Sequence, residues 1–397
     1  MRLCFVIQRY GTEVAGGSEL HCRWLARRLA RRHQVQVLTT CALDYLEWRN
    51  HFAPGAATED GIRVTRYPVR RPRSDRRFAL LSARVFEDEH SRKEERRWVE
   101  ENGPRCPALV EALPRLRDVD LFIFYSYRYY QTYFGLPRVA DRAVLVPTAE
   151  EDPAIRLSIF AELFRMPRGI VYLTPEECVL VEQVSGNTAI PHVVVGSGVN
   201  LPEGWREIDA RDRFELPERY LLYVGRIDRN KGVDRLFDYY RWLTEEWEEV
   251  PPLVLAGQAA LEVPCHPKIR SLGPVSEEEK FALLASCDVL LMPSRYESLS
   301  MVALEAWAMG RPVLAHGACK VLEGQCLRSG GGLFYRDYAE FREILRLLVG
   351  DTELRGRLGE GGRRYVAREY DWAVVEQRVE ELLSELTAPA RQRRGIE

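Results

Sequence analysis

Short apolar runs of four to eight residues recur along the chain, separated by polar turns and by segments with a helical stripe. In the first half the runs are Leu3–Gln8, Val35–Thr40, Ile62–Val69, Leu121–Tyr125, Ala143–Pro147, Gly169–Leu173 and His192–Val195. Their length and continuity predict buried strands. Between the first two runs, Leu20, Trp24, Leu25 and Leu29 recur at helical spacing, which predicts a helix to Arg32 with Ser18 as its N-cap. A second helix is expected from Pro175 to about Val184. Residues 71–117 are rich in Arg and Glu, with helical periodicity around Phe78–Phe86 and Glu94–Val99, and read as an insertion over the sheet.

Gly196–Leu216 has several glycines, Pro202 and little apolar periodicity, and reads as a linker. The pattern then restarts: strand Tyr220–Val224, helix Val233–Trp247, strand Leu253–Ala256, helix Glu277–Ser286, strand Val289–Met292, helix Leu299–Met309, strand Pro312–Ala315. Trp372, Val375, Val379 and Leu382–Leu383 mark a last amphipathic helix over Asp371–Leu386. Alternating strands and helices imply doubly wound parallel sheets, and two such sets imply two Rossmann-like domains facing across a cleft. The expected limits are 1–198, 199–370, and a closing helix over 371–388 that packs back on the first domain.

Composition narrows this picture without changing it. At 397 residues the chain is too long for one ordinary core, and 46% apolar with 29% charged residues suits a globular protein. No apolar run reaches membrane-spanning length, and the start enters a strand directly with no signal peptide, so a cytoplasmic protein is expected. Nine scattered cysteines without a Cys-x-x-Cys pair argue against a disulfide framework and a zinc site, and no metal is expected.

Charge is more informative in its distribution. Arg63, Arg66, Arg70, Arg71, Arg73, Arg76 and Arg77 crowd one stretch. It reads either as a solvated, mobile loop or as a surface for anionic lipid head groups or a phosphate-bearing acceptor, with peripheral contact at the inner membrane face. Nucleic acid is disfavoured because no recognition module or aromatic platform accompanies the arginines. Lysine is scarce, with only Lys93, Lys231, Lys268, Lys280 and Lys320, so a lysine in a cleft-facing loop is a candidate for a compact ammonium.

Candidate chemistry gathers at strand ends. Gly225-Arg226-Ile-Asp-Arg-Asn-Lys231-Gly232 directly follows the first strand of the second half, and places a guanidinium and an ammonium where a diphosphate could be clamped together with a helix N-terminus near Leu299. The glycine spacing is not that of a dinucleotide site. Glu297 precedes that helix and Glu305 lies in it, eight residues on, so both carboxylates fall within reach of one cleft as acceptors for sugar hydroxyls. Glu305 stands between Leu304 and Ala306-Trp307, a costly place for an unpaired charge. In the first half, Gly16-Gly17 before a helix either lets backbone N–H groups approach a ligand or simply makes a tight turn. Thr148-Ala-Glu150-Glu151-Asp152 puts three acids at a strand's carboxyl end. Asp118-Val-Asp120 precedes its strand and reads as a solvated strand start. The aromatic run from Tyr125 to Phe134 reads as core.

Three pieces together resemble a known family: Tyr-Val-Gly-Arg226 with Lys231-Gly, Pro-Ser-x-x-Glu297-Ser-Leu-Ser with Glu305-Ala behind it, and Gly310-Arg-Pro-Val. They look like the retaining glycosyltransferases of family 4, which have the GT-B fold, and the likeness extends from Gly16-Gly17-x-Glu19 to the Trp372 tail. The resemblance implies sugar transfer from a UDP- or GDP-linked donor, as substrate rather than cofactor, to a glycan, lipid-linked or small-molecule acceptor, with no catalytic metal. It implies that Arg226 and Lys231 bind the diphosphate, Glu297 the donor sugar and Glu305 the ribose hydroxyls. Backbone groups of Ser298, Leu299 and Ser300 would face the phosphates, Gly225 would belong to the same loop, and Gly16 and Gly17 would line the donor–acceptor junction. Members often carry a histidine after the strand that ends here at Pro147-Thr148-Ala149, where this chain has Glu150. Glu297, Arg226, Lys231 and Glu150 are therefore the expected catalytic set. By analogy with bacterial relatives, surface polysaccharide synthesis is the expected setting. The competing readings are a GT-B isomerase of the UDP-sugar 2-epimerase kind and a nucleotide-sugar-binding protein with a degenerate acceptor site.

Overall fold

The computed structural model describes residues 1–14 and 16–388. The chain divides into two compact units, Met1–Gly196 with the chain from Glu376 onward, and Ser197–Val375.

The first unit is built on an eight-stranded sheet of β1 (Arg2–Val6), β2 (Gln34–Thr40), β3 (Gly55–Glu59), β4 (Ile62–Tyr67), β5 (Leu121–Tyr125), β6 (Ala143–Val146), β7 (Gly169–Tyr172) and β8 (His192–Val194), in the order β3-β4-β2-β1-β5-β6-β7-β8. All pairings are parallel except β3 with β4. β5 and β6 are buried along their whole length, as a strand covered on both faces must be. Strand β3 is not apparent in the apolar pattern because it is mostly exposed. Its signal is Asp60-Gly61, both left-handed (φ 51° and 76°), which closes a two-residue hairpin.

The arginine-rich stretch is a loop only in part, at Arg70, Arg71 and Arg73 between β4 and the next helix. Arg63 and Arg66 lie in β4, and Arg76 and Arg77 in the helix Asp75–Glu87. Arg66 is buried, pairs with Glu59 and donates to the Tyr10 carbonyl (3.0 Å), while Arg71 and Arg77 share Glu101. Arg73 stacks on Phe78, 4.8 Å from the ring centre. The insertion packs on the sheet as expected, with Trp98 and Val99 in one core with Phe122 and Phe124 of β5. Tyr125 and Tyr127 are likewise fully buried. The last helix is Trp372–Thr387; from Glu376 it belongs with the first unit, where Glu376 meets Arg28 (2.7 Å) and Glu380 meets His33 (2.8 Å).

The second unit has a six-stranded sheet of β9 (Leu221–Val224), β10 (Leu253–Ala256), β11 (Ile269–Ser271), β12 (Val289–Met292), β13 (Val313–His316) and β14 (Gly332–Tyr335), parallel throughout and ordered β11-β10-β9-β12-β13-β14. The linker is partly structured: Ala210–Phe214 is a short helix capped by Asp209, a residue type suited to that position. In each sheet the strand order reverses beside the first strand, between β1 and β5 and between β9 and β12. Loops leaving the carboxyl ends there flank the crevice where open α/β sheets bind ligands. The candidate residues leave those ends, except Glu150, which follows β6.

Candidate active site

In the second unit two loops meet at the reversal. The loop after β9 runs to Gly232, which has φ 72° and caps the helix Val233–Glu246. A Cβ on Gly232 would stand 2.4 Å from the Pro293 carbonyl oxygen, so the lack of a side chain lets this loop abut the one after β12. Asp228 organises the first loop. It pairs with Arg226 through one carboxylate oxygen and accepts from the Lys231 amide (2.8 Å) through the other. Lys231 Nζ in turn donates to Glu297 Oε1 at 2.7 Å, with Glu297 only 9% exposed. Arg226, Lys231 and Glu297 are thus brought into one chain of charge-assisted contacts, with Asp228 as the link that sequence reading missed.

The helix expected from Leu299 spans Met301–Ala308, because Ser300 caps it by accepting from the Ala303 amide (3.3 Å). Glu297, Ser298 and Leu299 therefore belong to the loop, and only Glu305 is helical. The two glutamates hold different lysines. Glu305, 4% exposed, accepts from Lys280 Nζ at 2.8 Å, and Lys280 also meets Glu277 at 2.9 Å. Burial pushes the Glu305 carboxyl above its ordinary range against the pull of Lys280. Burial also works against the Lys280 ammonium, but Glu305 and Glu277 outweigh it and hold that pKa high. The scarcity of lysine was the available signal for Lys280, and it drew attention to Lys231 alone.

In the first unit, Gly16 precedes the helix Gly17–Leu29 as its N-cap, in place of Ser18. The Ser18 hydroxyl is used elsewhere: it donates to Glu19 Oε2 (2.7 Å) and accepts from Gln8 Nε2 (3.3 Å). Glu19 Oε1 receives both Nε and Nη2 of Arg9, at 2.9 and 2.6 Å, in a buried pair, and Arg9 Nη1 reaches the Leu43 carbonyl (2.8 Å). A Cβ on Gly16 would lie 2.4 Å from Glu19 Oε2. The glycine pair is therefore seated directly on a buried ion pair.

Glu150 follows β6 in a strained turn. Thr148 and Ser126, at the ends of neighbouring strands, both have positive φ (48° and 63°), and their hydroxyls lie 2.8 Å apart. Glu177 braces this turn from beneath. It is fully buried and accepts from the amides of Ala149 and Leu173, both at 2.6 Å. Burial pushes its carboxyl up to about 8, with neighbouring Glu150 adding to the rise and the backbone N–H groups opposing it. Arg128 meets Asp152 at 2.8 Å beside it. Among the described residues, one group could hold a metal ion: Cys178, Glu182 and His192, whose ligand atoms lie within 4.8 Å of one another. None of the residues proposed for the donor belongs to it.

Two Rossmann-like α/β domains of this kind define the GT-B fold. Solved structures agree: Anabaena HepE, in complex with UDP-glucose, superposes with a TM-score of 0.67 over 97% of this chain and 100% of that one, at 16% identity. Residues 206–365 match the model of glycosyl transferases group 1, and through this region the chain is related to that family. Alpha-D-kanosaminyltransferase of Streptomyces kanamyceticus is 29% identical over 184 residues, 42% of this chain and 45% of that protein. The chain thus spans less than half the length of this relative. A glycosyltransferase of Methanocaldococcus jannaschii described as uncharacterized is 25% identical over 81% of this chain and 82% of its own length.

Proposed function

We propose that the protein is a retaining glycosyltransferase that moves a sugar from a nucleoside-diphosphate donor to a glycan, lipid-linked or small-molecule acceptor. The observation that carries this reading is the chain Arg226–Asp228–Lys231–Glu297 at the reversal of the second sheet. Arg226 and Lys231 supply positive charge where the diphosphate leaves, a role in which pre-set donors act most strongly on developing charge. The Glu297 carboxylate, held by Lys231, accepts from donor-sugar hydroxyls. Glu305 accepts from ribose hydroxyls, with Lys280 pulling its carboxyl toward the charged form against burial. Amides of Ser298, Leu299 and Ser300 lead into a helix N-terminus and suit a phosphate. On this reading Gly225 shapes the donor loop, Gly16 and Gly17 line the acceptor side, and Glu150 faces the reacting sugar in place of the family's usual histidine.

HepE, in complex with UDP-glucose, supports a sugar-nucleotide donor by likeness and the kanosaminyltransferase supports glycosyl transfer, with UDP the first nucleotide to test. The domain limits 1–198 and 199–370, the closing helix, and a cytoplasmic site with peripheral membrane contact complete the proposal. Among the described residues no helix is long and apolar enough to cross a membrane. Any lipid contact by the arginine stretch falls to Arg63, Arg70 and Arg76, which are exposed and less engaged than Arg66 and Arg71. Anionic vesicles should then retain the protein in sedimentation, and neutral ones should not.

The deciding experiment is a thermal-shift screen of UDP- and GDP-sugars, because a ligand that binds only the folded state raises its apparent stability. Transfer assays with analysis of the product anomer would follow. No shift with any nucleoside diphosphate overturns the reading. Free epimerised sugar without an acceptor would replace it with the isomerase, and binding without turnover would replace it with the degenerate site suggested by Glu150.

A further inference from the structure

Beside the donor loops, the second unit has polar groups that the proposed reaction does not use. His316 ends β13 and is 2% exposed. Its Nδ1 accepts from the Ala318 amide at 3.1 Å, which places the ring proton of the neutral imidazole on Nε2. That Nε2 is buried and has no partner among the described residues, and the same holds for the Ser294 hydroxyl in the loop after β12. A buried donor with nothing to donate to costs free energy unless something fills the place.

Three observations bring cations to the same spot. β12 and β13 run side by side to their ends, with Met292 opposite Ala315, so the loop carrying Ser294 and Arg295 starts next to His316. The start of the helix Val233–Glu246 abuts Pro293 through Gly232, and Arg235 lies in that helix's first turn. Tyr335 ends β14, with its ring centre 5.1 Å from that of His316. Burial pushes the Tyr335 phenol up, while the Arg235 and Arg295 guanidiniums pull it down. Burial and then the same two arginines hold the His316 imidazole neutral, down at about 4. Arg235 and Arg295 are both exposed, and neither makes an ion pair among the described residues. Other arginines of this unit do, such as Arg219 with Asp288 and Arg342 with Glu246.

We infer that the His316 Nε2–H, the Ser294 hydroxyl and the Arg235 and Arg295 guanidiniums form a second anion subsite that takes a phosphate group, separate from Arg226 and Lys231. A tetrahedral oxyanion has the lone pairs to accept from two neutral donors and two guanidiniums together. The inference stands without the glycosyltransferase reading, because its test uses the unliganded protein and inorganic phosphate.

Phosphate binding would be measured by calorimetry at constant ionic strength, with nitrogen-15 NMR of the His316 Nε2 signal, on four proteins. These are the wild type, Arg235→Ala with Arg295→Ala, His316→Gln, and Arg226→Ala with Lys231→Ala. The wild type should bind phosphate and move the His316 signal. The Arg235/Arg295 variant should weaken binding roughly tenfold or more, and His316→Gln, which keeps a donor, by less. The Arg226/Lys231 variant should still move the His316 signal. Glucose 6-phosphate binding more tightly than inorganic phosphate would assign the phosphate to a substrate; equal affinity would assign a free ion. A His316 signal that phosphate leaves in place means an ordered water only and overturns the subsite, as does equal binding by the wild type and the Arg235/Arg295 variant. Because both arginines are exposed, these substitutions should leave the fold intact, which circular dichroism checks.

Discussion

The carboxyl edges of the two sheets hold their buried carboxyls in two different ways. In the second unit each key glutamate is given its own lysine, Glu297 with Lys231 and Glu305 with Lys280. In the first, Glu19 has Arg9, but Glu177 is buried with only backbone N–H groups to satisfy it, and burial raises its pKa to about 8. Paired charges can be shared with an incoming polar ligand, because each partner has lone pairs or protons left over. A carboxyl satisfied by backbone is a brace and holds a turn in place. The second edge is thus built to exchange contacts, and the first to fix the geometry around Thr148–Glu150.

The largest effect that would break this contrast lies in the exchanging edge. Lys231→Ala and Glu297→Ala should each lower transfer by about 100- to 1,000-fold, as loss of a pre-set donor to developing charge does, with the circular dichroism spectrum unchanged. Normal turnover in both variants would remove the donor site from this edge. Next comes the buried pair. Lys280→Ala strands Glu305 without its cation and should cost about 3–5 kcal/mol in urea unfolding, whereas Lys280→Met with Glu305→Leu should recover most of it. Equal losses in the single and double variants would show that the pair is not the source.

These pairs also mark what could be read from the residues. Arg226 and Lys231 stand in one short string at a strand end, and local pattern was enough to pair them; Glu297, 66 residues from Lys231, joined them only through the family resemblance. Lys280 and Glu305 are 25 residues apart and meet only because their helices pack together. An apolar neighbourhood announced that Glu305 needed a partner but could not say which. Glu177 is more obscure still: on a helix it looks like any first-turn acid, and its tie to Ala149 depends on how β6 and β7 sit in the sheet. β3 was hidden for another reason, since an exposed edge strand has no apolar run and shows only its Asp-Gly turn. The arginine stretch misled because composition counts charges and does not show that Arg66 turns inward to Glu59.

The brace offers a test of intermediate size. Glu177 has its folded pKa raised to about 8, above the ordinary carboxyl value of 4.5 that it regains on unfolding. Its contribution is then full below about pH 4.5 and is lost as pH rises toward 8, with a slope approaching about 1.4 kcal/mol per pH unit in between. Unfolding free energy measured against pH should therefore fall more steeply in the wild type than in Glu177→Gln. Parallel curves would mean that the carboxyl is ionised and the turn is held by charge after all.

The smallest effect sharpens the comparison at Glu150. Glu150 sits on the braced turn, and Glu150→His would introduce the imidazole that the proposed family reading expects there. If the turn fixes geometry and the second edge holds the donor, this exchange should leave the donor KM within about twofold. It should change kcat or the preferred donor sugar by no more than about tenfold, the scale of general acid–base or hydrogen-bond adjustments at one contact. A donor panel under saturating acceptor would read both quantities. A large rise in donor KM would instead mean that Glu150 takes part in holding the nucleotide sugar, and the division of labour between the two edges would have to be redrawn around the first unit.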